Sequence, residues 1–252
     1  MPDGILYIVA TPIGNLNDFS QRACDTLKKV DVVLCEDTRH TKNLLAHFDI
    51  GAETLSYHQH SSLNKVDKIV EMLREEKSLA LVSDAGTPGI SDPGGKLVEA
   101  VVQKLPNVQI VPIPGASALM SALSISGFWA DSFIFLGWPP HKKGRETWFK
   151  NLPKQEKVVV FYESVHRVKN ALERVSTVCP IRQMVLAREI TKKFETIYRG
   201  TAEEILNELP YDEIKGEFVV VLDVIARKAT ADRSNLIGHG IASSSRVQDS
   251  SQ

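Results

Sequence analysis

The sequence predicts an α/β protein of two α/β domains, the first holding a mostly parallel sheet over residues 1–115 and the second a mixed sheet over residues 116–226. Three observations carry this. Short β-branched runs alternate with helically spaced segments through the first half, and strand–helix–strand order makes neighbouring strands parallel. After Pro114 fewer helices intervene, so successive strands are expected to pair antiparallel. The 252 residues suffice for one large core or two modest ones, and the change of pattern favours two, meeting near 114–120.

Taken in order, strands are expected at 5–10, 31–35, 54–58, 79–83 and 108–113, with helical spacing near 21–30, 39–48, 63–76 and 94–104. Asp92 caps the fourth helix, and Pro93 suits its first position, where a missing N–H loses nothing. A small-residue helix at 116–126 opens the second half. Strands then follow at 133–137, 157–162, 184–188, 195–199 and 217–224, with helices mainly at 164–176 and 201–208. Residues 227–252 are Ser-rich and lack sustained periodicity, and are expected to be a flexible tail.

Composition narrows the function classes. Apolar residues make up 43% and charged residues 24%, which excludes collagen-like, disordered and disulfide-scaffold chains. No apolar stretch approaches the ~20 residues of a membrane span, and no basic leader opens the chain, so a cytoplasmic protein without a membrane partner is expected. The three cysteines show no paired spacing and read as small buried side chains. A net charge of −1 supplies no global pull toward nucleic acid, so contact with it must rest on local patches. The strongest is 139–157, where six basic residues face two acidic ones.

In a parallel sheet, ligands bind beyond the carboxyl ends of the strands, and four turns stand there. They are Thr11-Pro12-Ile13-Gly14-Asn15, Glu36-Asp37-Thr38-Arg39, the run from Ser83 to Gly94, and Pro112 to Ala118. The third carries three glycines and two prolines in twelve residues, giving a ligand close backbone access along a rigid path. No GxGxxG follows the first strand, and no GxxxxGK[ST] or GxSxG occurs, which argues against dinucleotide, P-loop and serine-hydrolase chemistry. His58-x-His60 offers two ligands without a clear third, so no metal site is expected.

The segments LYIVATPIGNL, CEDTRHTKNLL, YHQH, LVSDAGTPGISDPG, PIPGASALMSAL, FYESVHR, AREITKKFE and GEFVVVL occur in the order found in the ribosomal RNA small-subunit methyltransferase I family, and the chain resembles that family over about residues 4–224. The resemblance implies a tetrapyrrole-methylase-like, class III methyltransferase fold with S-adenosylmethionine held in a cleft between the domains. It also implies methylation of a cytidine ribose 2′-hydroxyl in the decoding region of 16S rRNA, with the small ribosomal subunit as partner, and a homodimer.

S-adenosylmethionine presents an adenine, a ribose diol and a zwitterionic end, which a glycine-rich strand-end loop and helix starts suit. Asp84 is the expected donor contact, with Ala85, Gly86, Thr87 and Ile90 as the wall, Ser117 and Ala118 at a helix start, and Pro12 shaping the floor. An Asx-turn at Asp84 and simple capping by Ser117 remain open. By resemblance, Tyr162, Glu163, Ala187, Arg188, Gly216 and Glu217 surround the donor or its mouth. Glu36 or Asp37 is the expected proton acceptor, with Arg39 gripping a phosphate or orienting the carboxylate; the other reading has Asp37 capping a helix and paired with Arg39. Lys142, Lys143, Arg145, His166, Arg167, Lys192 and Lys193 are expected phosphate contacts, and Trp138 and Trp148 stacking platforms for an unpaired base. Two other functions stay open: methylation of a tetrapyrrole or a protein side chain, and a non-catalytic RNA-binding module.

Overall fold

Strands and helices alternate from the first residues, as the apolar spacing requires. The computed structural model describes residues 4–58, 61, 63–92, 94–210 and 215–224. Pro93, His60 and the tail 227–252, singled out above, lie outside the described residues. Strands β1 (Ile5–Val9), β2 (Val32–Cys35), β3 (Glu53–Ser56), β4 (Ser78–Val82) and β5 (Gln109–Ile113) form one sheet in the order β3-β2-β4-β1-β5. Every pairing in it is parallel. The intervening helices are α1 (Gln21–Leu27), α2 (Thr38–His47), α3 (Leu63–Arg74) and α4 (Gly94–Lys104).

Successive side chains point to opposite faces of this sheet, and both faces are covered. Val9, Val33, Ala80 and Val82 pack with Leu27 of α1 and Leu45 of α2. Leu6, Leu34, Leu79 and Leu81 pack with Leu73 of α3 and Leu97 of α4 on the other side. A strand covered on both faces reads as a continuous apolar run, and Val32–Cys35 is buried at every position. Asp92 acts at the start of α4 as expected, its Oδ1 accepting the N–H of Gly89 and of Gly94, each at 2.7 Å.

Helix α5 (Ala118–Ser124) leads into the second half, with β6 (Phe133–Phe135), α6 (Arg145–Lys150), β7 (Val158–Ser164), α7 (Val165–Val178), β8 (Met184–Arg188), β9 (Thr196–Gly200), α8 (Ala202–Glu208) and β10 (Glu217–Leu222). The strand order is β6-β7-β10-β8-β9. The β6–β7 pair is parallel and the others antiparallel, which is the mixed sheet expected. One face carries α7 and α8 over Phe161, Leu186 and Val220. The opposite face, with Val160, Ala187 and Val219, packs on Leu119 and Leu123 of α5 and on Ile13 from the β1 turn, joining the two halves.

Two departures from the sequence reading have physical causes. The basic run at 139–157 contains the short helix α6, which buries Phe149. Strand β7 runs to Ser164 rather than ending at Tyr162, because Glu163 is buried between two arginines that neutralise it. Among the described residues no helix is long and apolar enough to cross a membrane.

Candidate functional site

The site starts from Thr11, the residue after β1. Its N–H donates to the carbonyl of Gly86 at 2.9 Å and its carbonyl accepts from Gly86 N–H at 3.1 Å. Its buried hydroxyl donates to the Ser83 carbonyl at 3.0 Å. Gly86 takes φ +84°, the left-handed region glycine tolerates, and a side chain there would press on Ile13. Thr87 Oγ1 donates to the Ala116 carbonyl at 3.3 Å, and Asp37 N–H donates to Asp84 Oδ1 at 3.4 Å. The loop after β4 is therefore fastened to the turns after β1, β2 and β5. Four strand ends become one rim.

This rim and the second sheet enclose a cavity of about 270 Å³. Of the residues expected to contact a ligand, Asp84, Ala85, Gly86, Thr87 and Ile90 line it from the β4 loop. Ser117 and Ala118 line it at the start of α5, where Ser117 Oγ accepts the N–H of Met120 at 3.4 Å. Glu36 lines it beside them, and Tyr162 and Glu217 reach it from the second sheet. The Tyr162 ring lies 5.4 Å from that of Trp138, which is 41% exposed at the cavity and was expected to stack a base. Burial raises the Tyr162 hydroxyl pKa.

The remaining expected residues sit elsewhere. Pro12 is buried beneath the wall, between Thr11 and the lining residue Ile13. Asp37 accepts the N–H groups of Arg39 and His40 at the start of α2 and pairs with Arg39 at 3.3 Å, so the capping reading holds; these bonds with Arg39 lower its pKa. Ala187 is a core residue with no exposed surface. Arg188 donates through Nε to the Lys215 carbonyl at 2.9 Å. Gly216, at φ +104°, leaves room for the Glu189 side chain, which a β-carbon would overlap.

Glu163 is a correction: it is 0% exposed and lies away from the cavity lining. Arg145 Nη2 pairs with it at 2.8 Å and Arg167 Nε at 3.0 Å. Both arginines, expected on phosphates, are committed inward instead. Trp148 is half-buried and packs against the core, its ring 5.1 Å from that of Phe161. Lys142, Lys143, His166 and Lys193 are exposed, as phosphate contacts need. Lys192 is not on that surface: it lines the cavity and pairs with Glu189 at 2.8 Å and Glu217 at 3.2 Å.

Ile13 and Asp92 line the cavity from turns named above, and Glu189 and Ile190 line it from a loop that the reading of the first sheet does not reach. Their signal was present, since 189–192 follows the end of β8 as 84–92 follows β4.

The lining is acidic. Among the described residues it holds the carboxylates of Glu36, Asp84, Asp92, Glu189 and Glu217 and one cation, Lys192. Burial raises the Glu36 pKa, and the nearby charges of Asp84 and Asp92 raise it further. At Glu189 burial works against the charged form, but the Lys192 ammonium and the Glu217 N–H outweigh it and the pKa falls. Lys192 is likewise disfavoured by burial and held charged by the two glutamates, so its pKa rises.

Residues 5–206 match the Tetrapyrrole (Corrin/Porphyrin) Methylases. The chain is 42% identical over 221 residues to Ribosomal RNA small subunit methyltransferase I of Bacillus subtilis (strain 168), covering 87% of this chain and 75% of that protein. It is 46% identical over 228 residues to the protein of the same name from Vibrio cholerae serotype O1, covering 88% and 78%. Among solved structures it is similar to diphthine synthase, with TM-score 0.66, 14% identity and coverage of 87% and 90%. It is similar too to uroporphyrin-III C-methyltransferase from Thermus thermophilus complexed with S-adenyl homocysteine, with TM-score 0.60, 17% identity and coverage of 87% and 97%. These two likenesses concern the fold. The extent and level of the sequence matches place the chain in the ribosomal RNA small subunit methyltransferase I family of the tetrapyrrole methylases.

Proposed function

We propose that the chain is an S-adenosylmethionine-dependent methyltransferase that methylates a cytidine ribose 2′-hydroxyl in the decoding region of 16S rRNA, acting on the small ribosomal subunit as a cytoplasmic homodimer. The observation that carries the donor assignment is the charge of the cavity: five carboxylates and one ammonium around apolar Ile13, Ala85, Ile90 and Ala118 suit a cationic, amphipathic ligand. When bound, S-adenosylmethionine supplies the methyl carbon and a neutral thioether leaving group. Asp84 and the backbone of 85–87 would hold the nucleoside part, Tyr162 would cover it, and Lys192 with Glu189 would hold the charged amino-acid end. The domains in this reading are 1–115 and 116–226, with the donor between them.

The chain's own work is alignment and removal of one proton. Of the two candidate proton acceptors, Asp37 is occupied at the start of α2, whereas Glu36 lines the cavity and is the one assigned to take the proton. A carboxylate whose pKa is raised by burial is a better proton acceptor than an ordinary one, and such help is worth roughly 10²–10⁴-fold. An acidic cavity repels RNA phosphates, so the acceptor must be drawn by the exposed Lys142 and Lys143 on the neighbouring segment. The half-exposed Met120 and Ile125 and the 70% exposed Trp129 supply apolar surface for a second copy.

The test is transfer of labelled methyl from S-adenosylmethionine to small subunits purified from a strain lacking the protein, using the full chain and Asp84→Ala. Label is expected in the 2′-O-methylcytidine fraction with the unaltered chain and is reduced at least tenfold with Asp84→Ala. Label in a base or a protein, or no label at all, overturns the reading.

A further inference from the structure

Arg145 is the first residue of α6, yet its guanidinium turns inward and only 9% of its side chain is exposed. Nη2 meets Glu163 Oε2 at 2.8 Å, Nη1 donates to the Pro140 carbonyl at 3.3 Å, and Nε donates to Asn170 Oδ1 at 3.4 Å. The guanidinium also lies 5.0 Å over the Phe149 ring. Glu163 is held from its other side by Arg167 Nε at 3.0 Å and by the Ser164 N–H at 2.9 Å. The Nη1 of Arg167 is buried with no hydrogen-bond partner among the described residues.

A buried ion cluster of this kind contributes little to stability beyond what an apolar replacement would, because desolvation offsets the Coulombic gain. Its geometry, however, has a use. Pro140 belongs to the segment 137–144, which connects β6 to α6 without regular structure of its own. At one end of the segment the Gly137 carbonyl accepts the Tyr162 N–H at 2.9 Å. At the other, Arg145 grips the Pro140 carbonyl. Between and just beyond these two fastenings stand Trp138 at the cavity, and the exposed Lys142 and Lys143. A planar fork is needed to reach carboxylate, carbonyl and amide together.

We propose that Arg145, through Glu163 and the Pro140 carbonyl, is a positioning residue for the nucleic-acid acceptor: it sets where Trp138, Lys142 and Lys143 stand beside the cavity. This rests on the proposed methylation of the small subunit. It differs from direct phosphate contact, because the charge of Arg145 is spent inside the protein. The donor seat is built mainly on the first sheet's rim, to which the segment 137–144 contributes Trp138 alone.

Arg145→Lys keeps a positive charge facing Glu163 but cannot span all three partners. In the full chain, the expected result is a cooperative melt, an acceptor KM raised at least fivefold with kcat within twofold, and adenosylhomocysteine affinity within twofold of the unaltered protein. Tryptic cleavage after Lys142 or Lys143, followed by mass spectrometry, is expected to be at least fivefold faster. An unchanged acceptor KM, or a loss of donor affinity equal to the loss for acceptor, overturns the proposal. If the unaltered chain does not methylate small subunits, the functional reading fails while the proteolysis still decides the fastening, and an unchanged cleavage rate sinks it. Should Arg145→Lys not fold, Asn170→Ala at an exposed position removes one acceptor of Arg145 and is expected to raise acceptor KM and cleavage rate at least twofold; no change in either refutes the proposal.

Discussion

Gly14 and Lys192 meet across the cavity edge: a β-carbon on Gly14 would overlap Cγ of Lys192 and stand 3.1 Å from its Cδ and Cε. Gly14 belongs to the turn after β1 and Lys192 to the loop after β8, so this close approach brings a strand end of each sheet together. Gly14 also takes φ +142°, where a side chain is strained.

Gly14→Ala therefore has two costs. Backbone strain of about 1–2 kcal/mol lowers the thermal midpoint by several degrees. Displacement of Lys192 from Glu189 and Glu217 also weakens donor binding, and a loss of at least fivefold in adenosylhomocysteine affinity is expected by calorimetry. Unchanged affinity in a folded variant would show that Lys192 does not serve the donor.

The Lys192–Glu189 pair also sets a pH dependence. The Glu189 pKa lies below its usual value of 4.5, so its contribution is full above that value and is lost as pH falls through the lower, folded one. The Lys192 pKa lies above its usual 10.5, so its contribution is full below 10.5 and lost only as pH rises through the folded value. Lys192→Ala should destabilise the protein by about 1–2 kcal/mol at pH 7, since both side chains are largely but not fully buried. Urea unfolding of the two proteins should converge as pH falls through the lowered Glu189 value, and a gap that persists once the carboxyl is protonated would rule the pair out as its source.

The strands of both sheets and the β4 loop were readable because apolar period and Gly/Pro chemistry are local properties. Asp84, Gly86 and Thr87 could be found that way, and they do line the cavity. Arg145 and Glu163 could not: eighteen residues apart, they are ordinary charges until β7 and α6 are packed together. A basic run reads as a solvated surface, and nothing local distinguishes Arg145, turned inward, from Lys142 and Lys143, which stay outside. The cavity position of Lys192 is hidden in the sequence for the same reason, because its two carboxylate partners lie on different strand ends.

Lys142 and Lys143 lie on exposed surface beside the cavity segment, and their loss should affect attraction rather than chemistry. For Lys142→Ala/Lys143→Ala, acceptor KM should rise roughly tenfold at low salt, kcat should hold, and the slope of log affinity against log salt should fall by about one to two. An unaltered salt slope would place the phosphate contacts elsewhere.

Glu36 gives the sharpest separation of catalysis from folding. Its pKa is raised by burial and then by Asp84 and Asp92, so a proton acceptor at this position is freed at a higher pH than an ordinary glutamate and kcat/KM should climb with pH through that raised value. Asp92→Asn keeps an acceptor oxygen for the N–H groups of Gly89 and Gly94 while removing one charge that faces Glu36. The acid limb of the kcat/KM profile should therefore move to lower pH, with the turn intact. Glu36→Gln should lower kcat by about 10²–10⁴-fold and abolish that limb, with adenosylhomocysteine binding within twofold. Stability should move the other way. A carboxylate whose folded pKa is raised stabilises the fold fully below its unfolded value and loses that contribution as pH rises through the folded one. At neutral pH, then, Glu36→Gln should be no less stable than the unaltered chain, by urea unfolding. A variant that lost activity and stability together would mean that Glu36 holds the rim rather than taking the proton.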